Sequence, residues 1–196
     1  MTQLSIDAAS EVAGYAVLRG LGRDDLIDAG RFKGSEAVTP YNALAEPLRG
    51  HMRDPAMACT RRLLDMRRDL IAKIEEHRPD RVVVEIPSGK AGAGSRRGAR
   101  SSLAVYGYGA GWLAGVAQAA GYGVTGGISG ELVLVNERQW TGRGTGVGIR
   151  KPDRPAAVYA LYPDRYDPAA DPGADTADAV LLGRWWIERT MREGAA

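Results

Sequence analysis

The sequence contains one cysteine, Cys59, and only two histidines among its 196 residues. No internal disulfide bond can therefore form, and a reducing compartment, the cytoplasm, is the expected location. The shortage of thiolate and imidazole ligands also argues against a zinc site. A bound metal ion would have to be held by carboxylates, which favours Mg²⁺, Mn²⁺ or Ca²⁺.

Long apolar runs are also missing, although 44% of the residues are apolar. No run approaches the roughly 18–20 residues of a membrane span, and the first residues lack the basic region of a signal peptide. The length is sufficient for one domain with a substantial core. We therefore expect a single cytoplasmic domain over residues 1–196.

Acidic residues are absent from one long stretch, since none occurs between Glu85 and Glu131. Residues 88–154 hold nine basic residues against three acidic ones, together with 17 of the 26 glycines. The net charge of +2 is therefore the sum of a basic, glycine-rich middle segment and net acidic segments on either side of it. A nucleic-acid partner is not excluded by the small net charge.

The apolar pattern predicts an α/β fold that opens with three antiparallel strands and continues with a central parallel strand. The predicted strands are 4–9, 12–18, 26–32, 81–86 and 132–135. The predicted helices are 54–77, 103–120, 154–161 and 174–191. Two Asp-Pro pairs, at 54–55 and 171–172, are typical of helix starts. Glycine-rich, basic loops are predicted at 88–102 and 141–154.

Four acidic residues occupy unusual positions. Asp7 and Glu85 interrupt apolar strands, where a carboxylate is costly to bury unless it is paired or binds a cation. Asp175 and Asp178 share one face of the predicted final helix. Each acid taken alone also fits a strand edge, a salt bridge or a favourable helix start. Brought together, they would suit two cations that promote attack on a phosphodiester.

The order of these motifs resembles that of the RNase H-like nucleases, and in particular the RuvC-type Holliday junction resolvases. The residues that carry the resemblance are Ser5-Ile6-Asp7-Ala8, Gly14-Tyr15-Ala16-Val17-Leu18, Val83-Val84-Glu85-Ile86-Pro87 and Asp175-Thr176-Ala177-Asp178-Ala179. A further segment, Trp140-Thr141-Gly142-Arg143-Gly144 followed by Lys151, is similar to the family's basic glycine turn. The resemblance implies an RNase H-like fold with a mixed five-stranded sheet flanked by helices.

The resemblance also implies a homodimeric, Mg²⁺-dependent endonuclease that acts on four-way DNA junctions in recombination and repair. The implied ligands of two Mg²⁺ ions, or of Mn²⁺ in their place, are Asp7, Glu85, Asp175 and Asp178. We hypothesise that Asp7 bridges the two ions. Lys151 matches the family's lysine near the scissile phosphate. The longer arginine-rich loop after Glu85 marks a divergent member, of the kind that a phage could encode.

Basic side chains are predicted to contact DNA phosphates, which positions the DNA without specifying its sequence. These residues are Arg96, Arg97, Arg100, Arg138, Arg143 and Arg150. Tyr106 and Tyr108 could stack on an unpaired base, although packing in the core or a dimer is the simpler interpretation. The small-residue face of helix 103–120 fits either a dimer interface or packing on the sheet.

Other functions remain open. A flap, fork or general branched-DNA endonuclease could use the same fold. A junction-binding protein without cleavage would explain the basic loops but not the four acids. Gly109–Ala114 matches a dinucleotide-binding pattern, but Glu131, the acid about 20 residues on, precedes its predicted strand instead of ending it, and a lone match is expected by chance in a glycine-rich chain. Actin-like ATPases share the opening hairpin, but they need two such domains.

Overall fold

The computed structural model describes residues 1–8, 12–33, 55–86, 98–142 and 147–195. Its strands are β1 (Gln3–Asp7), β2 (Val12–Leu18), β3 (Leu26–Lys33), β4 (Arg81–Ile86), β5 (Tyr122–Gly123) and β6 (Gly130–Asn136). Its α-helices are α1 (Pro55–His77), α2 (Gly98–Ala119), α3 (Glu137–Thr141), α4 (Arg154–Leu161) and α5 (Asp175–Gly194). Short 3₁₀ turns occupy Arg23–Asp25, Lys151–Asp153 and Pro168–Ala170.

The strands form one mixed sheet in the order β3-β2-β1-β4-β6-β5. β1 pairs antiparallel with β2, and β2 with β3, whereas β1, β4, β6 and β5 run parallel to one another. The predicted α/β class and the three-stranded meander are therefore confirmed. The sheet has six strands and not five, because Tyr122 and Gly123 add a two-residue edge strand. So short a segment, in which one of the two residues is glycine, carries no hydrophobic pattern.

Helices cover both faces of the sheet, and the strands alternate between two cores. Leu4 and Ile6 of β1 belong to the core under α1 and α2. Val83 of β4 belongs to the core under α4 and α5. Because successive side chains of a strand point to opposite faces, Gln3, Ser5 and Asp7 lie on the α5 face. All three are buried.

Two glycines allow α5 to lie very close to the sheet. A Cβ atom on Gly14 of β2 would lie 1.8 Å from the backbone oxygen of Asp175. A Cβ atom on Gly183 would lie 2.4 Å from a methyl carbon of Leu18. Across the same contact, the Ser5 hydroxyl donates to the Ala179 carbonyl oxygen at 2.7 Å. The start of α5 is thereby fixed over the ends of β1 and β2.

Two predicted boundaries need correction. Residues 98–102 belong to α2 and not to the predicted loop 88–102, because the Ala-Arg-Ser-Ser run has no proline and continues into the apolar helix. The predicted loop 141–154 is interrupted by the turn Lys151–Asp153 and meets α4 at Arg154. None of the helices in the described ranges is long and apolar enough to cross a membrane.

Candidate active site

The four acids predicted from the sequence line one cavity. β1 and β4 pair in parallel with Ile6 opposite Val84, so Asp7 and Glu85 follow on neighbouring strands. The first turn of α5 carries Asp175 and Asp178 to the same place. The cavity has a volume of about 310 Å³. Its lining residues are Asp7, Ala8, Glu85, Glu137, Trp140, Lys151, Arg154, Asp175 and Asp178.

Asp171 fixes the beginning of α5. Its carboxylate accepts hydrogen bonds from the backbone N–H groups of Thr176 at 3.1 Å and Ala177 at 2.9 Å. The Tyr166 hydroxyl donates to the same carboxylate at 2.8 Å. Asp171 therefore satisfies two free N–H groups of α5 from four residues before Asp175, whereas the N-cap position itself is Ala174 and not the Asp171 that the Asp-Pro pair indicates.

Negative charge is concentrated around Asp7. Burial raises the pKa of Asp7 well above its ordinary value, and the charges of Glu85, Asp178 and Asp175 raise it further, against the opposing charge of Lys151. Burial likewise raises the pKa of Asp175, despite the opposing charge of Lys151. Additional positive charge in the cavity would therefore favour ionisation of Asp7.

Asp178 contacts two cationic side chains. Lys151 places its Nζ atom 3.3 Å from Oδ2 of Asp178. Arg154 donates from Nη1 to Oδ1 at 2.8 Å. Burial alone would lower the pKa of Lys151, but the carboxylates of Asp178 and Asp7 outweigh that effect and raise it. Lys151 thus lies beside the acids, and its predicted place near the scissile phosphate stays a prediction.

Trp140 and Arg154 line the cavity, but the sequence analysis assigned them no role there. The Trp140 indole N–H donates to Oε2 of Glu85 at 2.6 Å. Trp140 lies on α3, whose N-terminus is closed by a capping box between Asn136 and Gln139. An Asn followed three residues later by Gln is a sequence signal that could have revealed this short helix.

The structure describes the side chains of only two of the six predicted DNA-binding arginines. Arg138 is exposed on α3, between Glu137 and Trp140 of the cavity lining. Arg150 has a side chain that is 83% exposed and directly precedes Lys151. Arg96, Arg97 and Arg143 lie outside the described residues, as does the side chain of Arg100, whose backbone lies in α2. Phosphate contacts by all six remain predictions.

The two tyrosines predicted near the DNA also differ. Tyr108 lies on α2 and is 46% exposed, so it is not a core residue. The side chain of Tyr106 lies outside the described residues. Stacking on a base therefore stays a prediction for both.

A second polar cluster lies between β3 and α1, away from the cavity. Ligand atoms of Asp28, Glu76 and His77 all lie within 4.8 Å of one another. The Lys73 ammonium is 2.6 Å from Asp28 and 2.9 Å from Glu76, so part of the negative charge of this cluster is already balanced. Burial alone would raise the pKa of Asp28, but hydrogen bonds from Lys73 and His77 outweigh it and lower that pKa. We interpret the cluster as a structural ion-pair network.

The donor chemistry of the cavity fits a hard divalent cation. Its four predicted ligands are all carboxylates, the donors that Mg²⁺ and Mn²⁺ prefer. Asp7 is 8% exposed, and burial and the neighbouring carboxylates raise its pKa, so a cation bound there would favour its ionised form. No three of the cavity acids have the 4.8 Å spacing that the Asp28 cluster shows, so they are spread more widely. Asp7, Glu85, Asp175 and Asp178 are thus the residues that could hold metal.

Comparisons of the whole architecture identify the fold. Thermus thermophilus RuvC in complex with a Holliday junction substrate matches 97% of this chain and 96% of its own, with a TM-score of 0.57 and 15% identity. A second structure of Thermus thermophilus RuvC matches 97% of both chains, with a TM-score of 0.54 and 16% identity. The chain has the RuvC fold.

The likeness to RuvC confirms the predicted fold. Identities of 15% and 16% make this a divergent example of the fold. No protein-family model matches the chain, and no curated protein matches its sequence.

Proposed function

We propose that this chain is a divalent-metal-dependent endodeoxyribonuclease that cuts four-way DNA junctions. The observation that carries the proposal is the convergence of four acids, from three separate segments, with Lys151 in one cavity of a RuvC fold. The matching RuvC structure is described as a complex with a Holliday junction substrate. Recombination and repair are the processes that generate such junctions.

The arrangement of side chains supports metal-assisted phosphodiester hydrolysis. Asp7 lies centrally, since the charges of Glu85, Asp178 and Asp175 all act on it. Two divalent cations held there would activate the attacking water and stabilise the leaving oxygen. Lys151, with a side chain 57% exposed, would contact the scissile phosphate at the cavity mouth. Arg138 and Arg150 directly adjoin the lining residues Glu137 and Lys151 in sequence and would hold neighbouring phosphates.

A homodimer would match the two symmetric strands that a junction offers for cleavage. An apolar groove of about 890 Å³ runs between α1 and α2, on the opposite face of the sheet from the cavity. Gly111 and Gly115 line it, and a Cβ atom on either would meet nothing within 4 Å. These glycines therefore do not serve packing on the sheet. The small-residue face of α2 is the surface that we propose for dimerisation.

The decisive experiment compares cleavage of a four-way junction, a fork, a flap and a linear duplex, with Mg²⁺ and with EDTA. We expect Mg²⁺-dependent cleavage with preference for the four-way junction. Preference for the fork or flap would instead establish a branched-DNA endonuclease. Metal-independent binding without cleavage of any substrate would establish a junction-binding protein and refute the proposal.

Asp7→Asn tests the assignment of the acids. We expect the variant to lose junction cleavage while it retains junction binding. Asp164→Asn is the matched control, because Asp164 is 75% exposed and pairs with Arg23 outside the cavity. Full cleavage by Asp7→Asn would contradict the role given to Asp7.

A further inference from the structure

A buried chain of contacts connects two acids of the cavity. Trp140 is 1% exposed, and its indole N–H donates to Oε2 of Glu85 at 2.6 Å. The guanidinium carbon of Arg154 lies 4.8 Å from the centroid of the Trp140 ring. Arg154 in turn donates to Oδ1 of Asp178 at 2.8 Å. Glu85 on β4 and Asp178 on α5 are thus linked through an indole and a guanidinium group.

Arg154 is itself held in place. Its Nε atom donates to the carbonyl oxygen of Ile149 at 3.2 Å, and its side chain is only 11% exposed. The planar guanidinium group can stack on the indole and donate to a carboxylate at the same time. Because each contact uses a different part of the group, its orientation is strongly restricted.

Lys151 contacts the other oxygen of Asp178 in a different manner. Its side chain is 57% exposed, and its distance to Oδ2 is 3.3 Å. An exposed ammonium group can move into solvent or onto a phosphate at little cost. The two cations on Asp178 therefore differ, since the arginine is fixed and the lysine is exchangeable.

We propose that Trp140 and Arg154 are positioning residues that fix the carboxylates of Glu85 and Asp178 for divalent-cation binding, while Lys151 is the exchangeable cation. Groups that hydrogen-bond to metal ligands orient them, and their loss commonly weakens metal binding by about 10–100-fold. The inference rests on the proposed metal dependence and adds to it the residues that set metal affinity.

The test measures Mn²⁺ binding to the full chain by electron paramagnetic resonance, together with the Mg²⁺ dependence of junction cleavage. Trp140→Phe keeps the ring and removes the N–H donor. Arg154→Lys keeps the charge and removes the stacked, forked geometry. For each variant we expect Mn²⁺ affinity to fall about 10-fold or more. The Mg²⁺ concentration for half-maximal cleavage should rise in parallel, with the rate largely recovered at saturating Mg²⁺.

Matched controls separate positioning from general destabilisation. Trp186→Phe removes an indole N–H that has no hydrogen-bond partner among the described residues. Arg184→Lys alters a half-buried arginine that stacks on Tyr162 and donates to the Leu21 carbonyl oxygen, outside the cavity. Both controls should keep the Mn²⁺ affinity of the unaltered chain. Binding is measured well below the melting temperature of each variant, where a purely structural role does not change affinity.

Unchanged Mn²⁺ affinity in folded Trp140→Phe overturns the inference, even if Arg154→Lys fails to fold. Affinity reduced equally in the controls overturns it as well. If the unaltered chain binds no Mn²⁺, the proposed metal dependence fails first, which is a different result from normal binding that the variants do not weaken.

Discussion

Gly14→Ala tests whether the close contact between β2 and α5 positions the acids. The new Cβ atom would lie 1.8 Å from the Asp175 backbone oxygen and 2.3 Å from its carbonyl carbon. Both are backbone atoms of the first turn of α5, so no side-chain rotation can relieve the clash. The helix start must retreat until the separation is at least 3.0 Å, a shift of about 1.2 Å. Asp175 and Asp178 would move away from Asp7 with it.

This shift of the helix start should lower both the stability of the fold and the rate of cleavage. Overpacking of this kind costs about 1–3 kcal/mol of stability. For a chain of this length that corresponds to a melting temperature lower by about 2–12 °C. A displacement of about 1 Å at reacting groups can lower a rate about 100-fold. We therefore expect lower thermal stability, measured by circular dichroism, and a single-turnover rate of junction cleavage reduced by about 100-fold.

Gly194→Ala is the control, because it lies at the other end of the same helix and its Cβ atom would meet nothing within 4 Å. Its stability should be equal or slightly higher, since alanine favours helix over glycine. Normal stability and cleavage in Gly14→Ala would refute the reasoning. Lower stability with normal cleavage would refute the link between the helix position and the acids.

Three further changes have expected outcomes. Because the fold raises the pKa of Asp7, the stability that this group contributes is full below its ordinary pKa and is lost as pH rises through the raised value. At pH 7 in EDTA, Asp7→Asn should therefore raise the melting temperature, and an unchanged or lower value would contradict the buried charge. Replacing Arg138 and Arg150 by alanine should reduce the slope of log junction affinity against log salt by about 0.9 per lost phosphate contact, whereas an unchanged slope would exclude both from the DNA surface. Asp171→Ala should destabilise the chain by about 1–2 kcal/mol in urea denaturation, because two N–H groups of α5 lose their acceptor, and no change would exclude Asp171 as that acceptor.

The sequence was informative wherever a local pattern determines the structure. The β-branched run 81–86 and the apolar run 12–18 predict strands whose bounds agree with the structure. The helix starting at Pro55 follows from its proline and its apolar periodicity. Asp7 and Glu85 were identified because an acid within a buried strand requires a partner. These inferences depend on side-chain period and burial, which neighbouring residues reveal.

The remaining features of the site depend on contacts between distant residues. Trp140 and Glu85 are 55 positions apart, and Arg154 and Asp178 are 24 apart. Hydrophobic pattern marks Trp140 only as a core residue, and composition marks Arg154 only as one of many arginines. No sequence pattern reveals the role of Gly14. Glycine is needed there because a Cβ atom would clash with the backbone of Asp175 in α5, which is 161 residues away in the sequence. Such contacts become visible only when the chain is folded.

The alternation of side chains along β1 also guards against misfolding. The positions of β1 that face α5 are Gln3, Ser5 and Asp7, and the side chains of Gln3 and Ser5 donate to carbonyl oxygens of α5. A slip of one residue against β2 or β4 would turn Asp7 into the hydrocarbon core beneath α1 and α2, and would leave those α5 carbonyls facing leucine and isoleucine. Asp7 therefore also favours the correct register of β1, because a shifted register would bury its carboxyl group among apolar side chains. The same carboxyl group that lines the cavity in the correctly paired strand would raise the free energy of a strand with shifted register.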